Sequence, residues 1–166
     1  YNIGTRRTPG GSYYNRLVIT NGVMVKSIGG ARVTVIEGSG VAAYNTVNAI
    51  RCVYMSDGVL DGFTLQGGAA VSHSRSTNER DKGGGGVNML GATVGTEIRN
   101  SVLRNNKAFD GGGAYRGRVV NCALFGNVAS YGSAVYWCDV KSATLSGNVG
   151  STFAGGGACG GALTNS

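Results

Sequence analysis

Apolar and polar positions along this chain alternate in short blocks, and the blocks return in phase. LDGFTLQGG at 60–68, IRNSVLRNN at 98–106, VVNCALFGN at 119–127 and VKSATLSGN at 140–148 align without gaps. Read vertically, Leu60, Ile98, Val119 and Val140 form one apolar column, and Leu65, Leu103, Leu124 and Leu145 a second. Phe63, Ser101, Cys122 and Ala143 form a third, while Gly62, Asn100, Asn121 and Ser142 form a polar corner. Asn106, Asn127 and Asn148 recur at 21-residue intervals, and Phe109, Tyr131 and Phe153 at 22. A fixed period in this range is the mark of a solenoid. Upstream, Leu17–Thr20, Val23–Ile28 and Arg32–Ile36 read as short strands closed by Asn21-Gly22, Gly29-Gly30 and Glu37-Gly38 turns.

The predicted fold is therefore all-β, a parallel solenoid of five to six coils of 21–22 residues. In such a stack each coil lies about 4.8 Å above the last, so equivalent residues sit over one another. Apolar columns become a continuous core. Asn100 and Asn121, and Asn106, Asn127 and Asn148, become ladders of amides bonding from coil to coil. Residues 17–166 are expected to form one such domain, with 1–16 an irregular segment capping one end. The period breaks once: Leu65 and Leu103 are 38 residues apart, which predicts an inserted loop at about 69–86. Ser166 aligns with Cys122, so the sequence stops halfway through a coil. A piece of a larger protein, or an open end that stacks on another copy, would both produce that.

Composition narrows the classes of function. There are 31 Gly and one Pro, without the Gly-X-Y period of collagen. A hydrophobic share of 42% argues against disorder. No run of 18 apolar residues exists, so no membrane span is predicted. The net charge of +7 favours anionic partners such as acidic polysaccharide, but the basic residues are scattered, which argues against nucleic acid. Cys52, Cys122, Cys138 and Cys159 form no CxxC and His73 is the single histidine, so no zinc site, other metal or cofactor is expected. Cys122 falls in an inward column. Cys138 and Cys159 fall near each other on adjacent coils, where a disulfide would be possible in an oxidising compartment.

Candidate chemistry is sparse. Asp57 and Asp61 are the closest carboxylates on one strand-turn unit, but Asp57-Gly58 is a turn signature and Asp61 borders the Asn/Gly corner; both read as structural. No catalytic residue is assigned. The insert supplies the main candidates for ligand binding: His73 as a group that changes charge near neutral pH, and Arg75, Arg80 and Lys82 as anchors for an anionic sugar. Arg116 and Arg118, with Arg99 and Arg104, form a basic strip across neighbouring coils. It would either bind acidic glycan or keep exposed strands soluble. Phe109, Tyr131 and Phe153 read as an aromatic ladder that stabilises the coils.

The phrases GGGAYRGRVVNCALFGN, VKSIGGARVTVIEG and RCVYMSDGVLDGFTLQGG resemble those of bacterial, secreted, glycine-rich right-handed parallel β-helix repeat proteins, which share the pectate and pectin lyase fold. The resemblance covers about residues 15–166. It implies a right-handed β-helix, an extracellular or cell-surface location, and a structural or adhesive role. No lyase motif is carried over. The triple glycine is weakened to Gly132-Ser133-Ala134 in one repeat. The resulting expectation is a non-catalytic surface module, able to assemble head to tail into a filament. The alternative is a polysaccharide lyase or hydrolase fragment, or a glycan-binding module, acting on acidic polysaccharide.

Overall fold

The computed structural model describes residues 4–40, 48–70, 78–154 and 156–166, with 151–154 as backbone. Strands hold 48% of the chain and helix 3%, which makes it an all-β protein. A two-residue strand β1 (Arg6–Arg7) precedes a first rung of β2 (Tyr14–Ile19), β3 (Met24–Lys26) and β4 (Val35–Glu37). The second rung is β5 (Ile50–Met55), β6 (Val59–Asp61) and β7 (Thr64–Gln66). A short helix, α1 (Glu79–Lys82), leads into the third: β8 (Val87–Asn88), β9 (Glu97–Arg99) and β10 (Val102–Arg104). The fourth is β11 (Ala114–Tyr115), β12 (Arg118–Val120), β13 (Ala123–Phe125) and β14 (Val128–Tyr131). The fifth is β15 (Val135–Lys141), β16 (Thr144–Ser146) and β17 (Val149–Ala154), and β18 (Ala158–Thr164) opens a sixth. Strands of successive rungs pair in parallel, giving a solenoid-like stack whose sheets curl into a half-barrel.

The register follows the sequence columns. Leu65, Leu103, Leu124 and Leu145 are partners in turn, and the column extends back to Ile36. Leu60, Ile98, Val119 and Val140 do the same, from Val25 at one end to Leu163 at the other. Leu60, Leu65, Ile98, Leu103, Val119 and Leu124 are fully buried. Each such side chain contributes about 1.5–3 kcal/mol of transfer free energy. The third predicted column, Phe63, Ser101, Cys122 and Ala143, is also buried.

The chain bends where the backbone is left-handed, and these residues stack as well. Gly84, Gly111 and Gly132 form one such column, and Gly67, Asn105, Gly126 and Gly147 another. Gly62, Asn100, Asn121 and Ser142 form a third, continued by Asn165 at φ 52°. Glycine and asparagine tolerate this region, where other L-residues lose about 1–2 kcal/mol. The fourth column breaks that pattern: Arg116 at φ 60°, Trp137 at 51°, then Gly160 at 68°.

The two asparagine ladders differ in kind. Asn106 and Asn127 are fully buried. The Asn127 carboxamide oxygen accepts from the Asn106 main-chain N–H at 3.1 Å and from its Nδ2 at 3.0 Å. Asn148 repeats both contacts on Asn127 at 3.0 and 2.9 Å. Each Nδ2 also donates to a leucine carbonyl of the rung before: Leu65, Leu103 and Leu124. Asn100 and Asn121 form the exposed ladder, where Asn121 Nδ2 donates to Asn100 Oδ1 at 2.7 Å and Asn100 Nδ2 to Asp61 at 2.8 Å.

Four sequence expectations are corrected. The N-terminal segment is not wholly irregular: β1 lies antiparallel on β2, whose first residue is Tyr14. The extra length between Leu65 and Leu103 is split between two places. Asn88 pairs Tyr115 while Glu97 pairs Arg118, so a second excursion, residues 90–96, leaves the stack inside the third rung. The aromatic spacing of 22 is not the backbone register, since Tyr131 lies opposite Asp110 and Ala154. Phe109 and Tyr131 still meet edge to face at 5.6 Å, and the Phe153 side chain lies outside the described residues. All four cysteines are free. Cys159 is opposite Tyr136 and Cys138 opposite Gly161, and a two-residue offset along a strand moves the thiols apart rather than together.

Candidate functional site

His73 and Arg75 lie outside the described residues. Arg80 and Lys82 lie on α1, and their main-chain groups carry the structural contacts. Carbonyls of α1 and of Gly83 just after it are gathered by Arg51, which no motif or repeat position marks. Arg51 is wholly buried and donates to the carbonyls of Gly83 at 2.8 Å, Arg80 at 2.8 Å and Asp81 at 2.7 Å. Burial pushes its pKa down to about 10, against the pull of the nearby Asp81 carboxylate. Asp81 in turn accepts from the Ser12 N–H at 2.9 Å, tying α1 to the N-terminal segment. The Lys82 carbonyl accepts from the Phe109 and Asp110 N–H groups of the next rung. The end of the insert is thus docked on the stack.

The 90–96 excursion builds a wall beside the fourth corner column. Thr93 donates its hydroxyl to Asp57 at 2.8 Å, and its N–H contacts Ser56 O and Thr96 Oγ1. Tyr54 donates to the Leu90 carbonyl at 3.2 Å, and Leu90 N–H donates to Asn88 Oδ1 at 2.9 Å. Between this wall and the corner column lies a cleft of about 460 Å³. Thr93 and Val94 stand on one side, and Arg116, Arg118, Trp137 and Asp139 on the other, over a floor that includes the buried Met89.

Trp137 dominates the cleft, with 57% of its surface exposed. One face of its indole rests over Gly160 of the next rung, where an added Cβ would stand 2.9 Å from Cδ2 and Cε2. Tyr136 stacks on Tyr115 at 5.6 Å with the rings 5° from parallel, and the Arg116 guanidinium lies 5.5 Å from the Tyr115 ring centre. Stacked aromatics thus lie along the same strand, β15, that carries Trp137.

The basic strip is brought together but is not bare. Arg118 meets Glu97 at 3.3 Å, Arg116 meets Glu79 at 3.4 Å, and Arg99 lies between Asp61 at 3.1 Å and Glu97 at 3.7 Å. Asp139 sits directly opposite Arg118 in the parallel register. The Asn100 amide, assisted by Arg99, holds the Asp61 carboxyl below its ordinary pKa. Asp57 is engaged by Thr93, so both carboxylates first considered for acid-base chemistry serve the frame. Arg104 donates to Gln66 at 3.0 and 2.6 Å, outside the cleft. Asp110 is buried among Lys82 and Glu79, and burial pushes its carboxyl up to about 6. Among the described residues no group of three His, Cys, Asp or Glu is placed to hold a metal ion, and no helix is long and apolar enough to cross a membrane.

Sequence reasoning reached Arg116 and Arg118 but missed Trp137, Asp139 and the 90–96 wall. The first two had a signal: Trp137 follows Arg116, and Asp139 follows Arg118, by the same 21 residues that separate the leucines. The wall had none, because the extra length could be placed anywhere between two anchored columns. No known protein family, curated protein or solved structure matches this chain.

Proposed function

We propose that the chain is a right-handed parallel β-helix of the pectate-lyase type, serving as a non-catalytic structural or adhesive module outside the cell. The observation that supports it most is where the polar side chains go. Asp57, Asp61, Arg51 and the five ladder asparagines are taken up in holding rungs and loops together. Among the described residues no pair of carboxylates in the cleft is left to act as acid and base, which hydrolysis of a glycosidic bond requires. The glycine-rich repeats, in their likeness to those of exported surface proteins, support the extracellular placement.

Head-to-tail filament growth is the weaker part of this reading. β1 lies antiparallel along β2, so a second copy continuing the parallel register at that edge would first have to displace it. The cleft favours a second activity for the same module, contact with a glycan such as acidic polysaccharide, without turnover. The deciding assay incubates the protein with polyuronates and neutral polysaccharides and follows both unsaturated products and reducing ends. Absence of product together with retention on an immobilised polysaccharide is the expected result. Steady product release would replace this reading with the polysaccharide lyase or hydrolase alternative.

A further inference from the structure

We infer that the cleft between the 90–96 wall and the fourth corner column binds a neutral saccharide, with Trp137 as the stacking platform. This rests on the glycan-contact reading above and changes the ligand it names.

The first argument is conformational. Three corner columns solve the left-handed bend with glycine, asparagine or serine, and only the column facing the cleft uses Arg116 and Trp137. Each costs about 1–2 kcal/mol relative to glycine at the same φ. With 57% of its surface exposed, the indole leaves a broad apolar area uncovered beside the cleft. Strain of this kind, held in place by its surroundings, concentrates at sites of function. Here the surroundings are Gly160 of the next rung beneath the ring and the parallel pairing of β15 with β18 along the backbone.

The second argument is electrostatic. The chain carries +7 overall, yet the arginines of the cleft are matched by Glu79, Glu97 and Asp139. The carboxylate of an anionic sugar would need donors alone and would meet those protein carboxylates at close range. A sugar hydroxyl both donates and accepts, which suits Arg118 beside Asp139. The apolar C–H face of a pyranose ring matches the open face of the indole. A volume of about 460 Å³ lies within the range of small-ligand sites, and the wall opposite is already fixed by its own hydrogen bonds.

The test is an oligosaccharide array holding neutral and uronate-containing members, followed by titration calorimetry of the best binders at about 20 and 300 mM NaCl, between which charge screening changes strongly. A neutral oligosaccharide is expected to bind with a Kd that changes less than about twofold with salt. Trp137→Gly relieves the strained backbone, which offsets the packing it removes, so it is expected to fold and melt close to the parent while weakening binding at least about tenfold. Trp137→Phe keeps a ring and is expected to fall between the two. If only uronate-bearing members bind, with affinity collapsing at high salt, the acidic-glycan reading stands and this one is overturned. If no member of either class binds, both fall. If Trp137→Gly binds as the parent does, the site is misplaced.

Discussion

Replacing Asn127 by alanine tests whether the buried amide ladder holds the stack. The Asn127 side chain makes four polar contacts within 3.1 Å, to Asn106 N, Asn106 Nδ2, Leu103 O and Asn148 Oδ1. Two partners keep another bond after the substitution: Asn106 Nδ2 still reaches Leu65 O, and Asn148 Oδ1 still accepts from Asn127 N. The Asn106 N–H and the side of Leu103 O facing the ladder are left without a partner in a fully buried site. Each costs about 1–3 kcal/mol, so the expected loss is about 2–6 kcal/mol, a large part of a typical stability of about 5–15 kcal/mol. Asn121→Gly is the control. It removes one exposed hydrogen bond, keeps the left-handed φ accessible, and is expected to cost under about 1 kcal/mol. Urea unfolding followed by circular dichroism measures both. Equal losses for the two variants would refute the claim that burial, not the presence of an asparagine column, makes the ladder count.

Three further outcomes follow from the described contacts. Arg51→Met removes the guanidinium that gathers three buried carbonyls; it is expected to lower stability by about 3 kcal/mol and open the α1 region to limited proteolysis, and Arg51→Lys cannot span all three acceptors and should rescue little. Asp110 has a folded-state pKa of about 6, above the unfolded carboxyl value near 4, so the folded protein holds the proton more tightly and stability should fall as pH rises from about 4 to 6. Asp110→Asn should remove that slope and gain about 1–2 kcal/mol above pH 6, read from urea midpoints across pH. Cys52 and Cys122 are buried with thiols pushed up to about 12, and burial raises the Cys138 thiol as well. Only the half-buried Cys159 should react quickly with a thiol reagent in the native state, against four cysteines after denaturation, as counted by mass spectrometry.

The columns were legible because a stacked fold writes one environment many times. Leucine at Leu65, Leu103, Leu124 and Leu145 answers the same inward position in each rung, and a single phase fits them all. What occurs once cannot be read that way. Arg51 has no counterpart in the other rungs, and a lone arginine in an apolar strand gives no hint of the carbonyls that receive it. The 90–96 wall was hidden because loop length is conserved between anchors whether it sits in one excursion or two. Trp137 escaped for a different reason. Tryptophan is a poor choice for a left-handed corner, so its place in that column shows only when the backbone angles do. The candidate site thus lies where the repeat departs from its own rule.

The buried ladder has a direction. Gly68 N–H donates to Asn106, Asn106 N–H to Asn127, and Asn127 N–H to Asn148, always toward the later rung. The main-chain N–H of each ladder position is therefore completed by the successor rung, while the side-chain Nδ2 groups reach back to leucine carbonyls of the rung before. For a chain made from its N-terminus, the newest rung at the ribosome always carries an unanswered buried amide, and the next rung to emerge supplies the acceptor. Folding during synthesis would then advance as a zipper, each step rewarding the one after it.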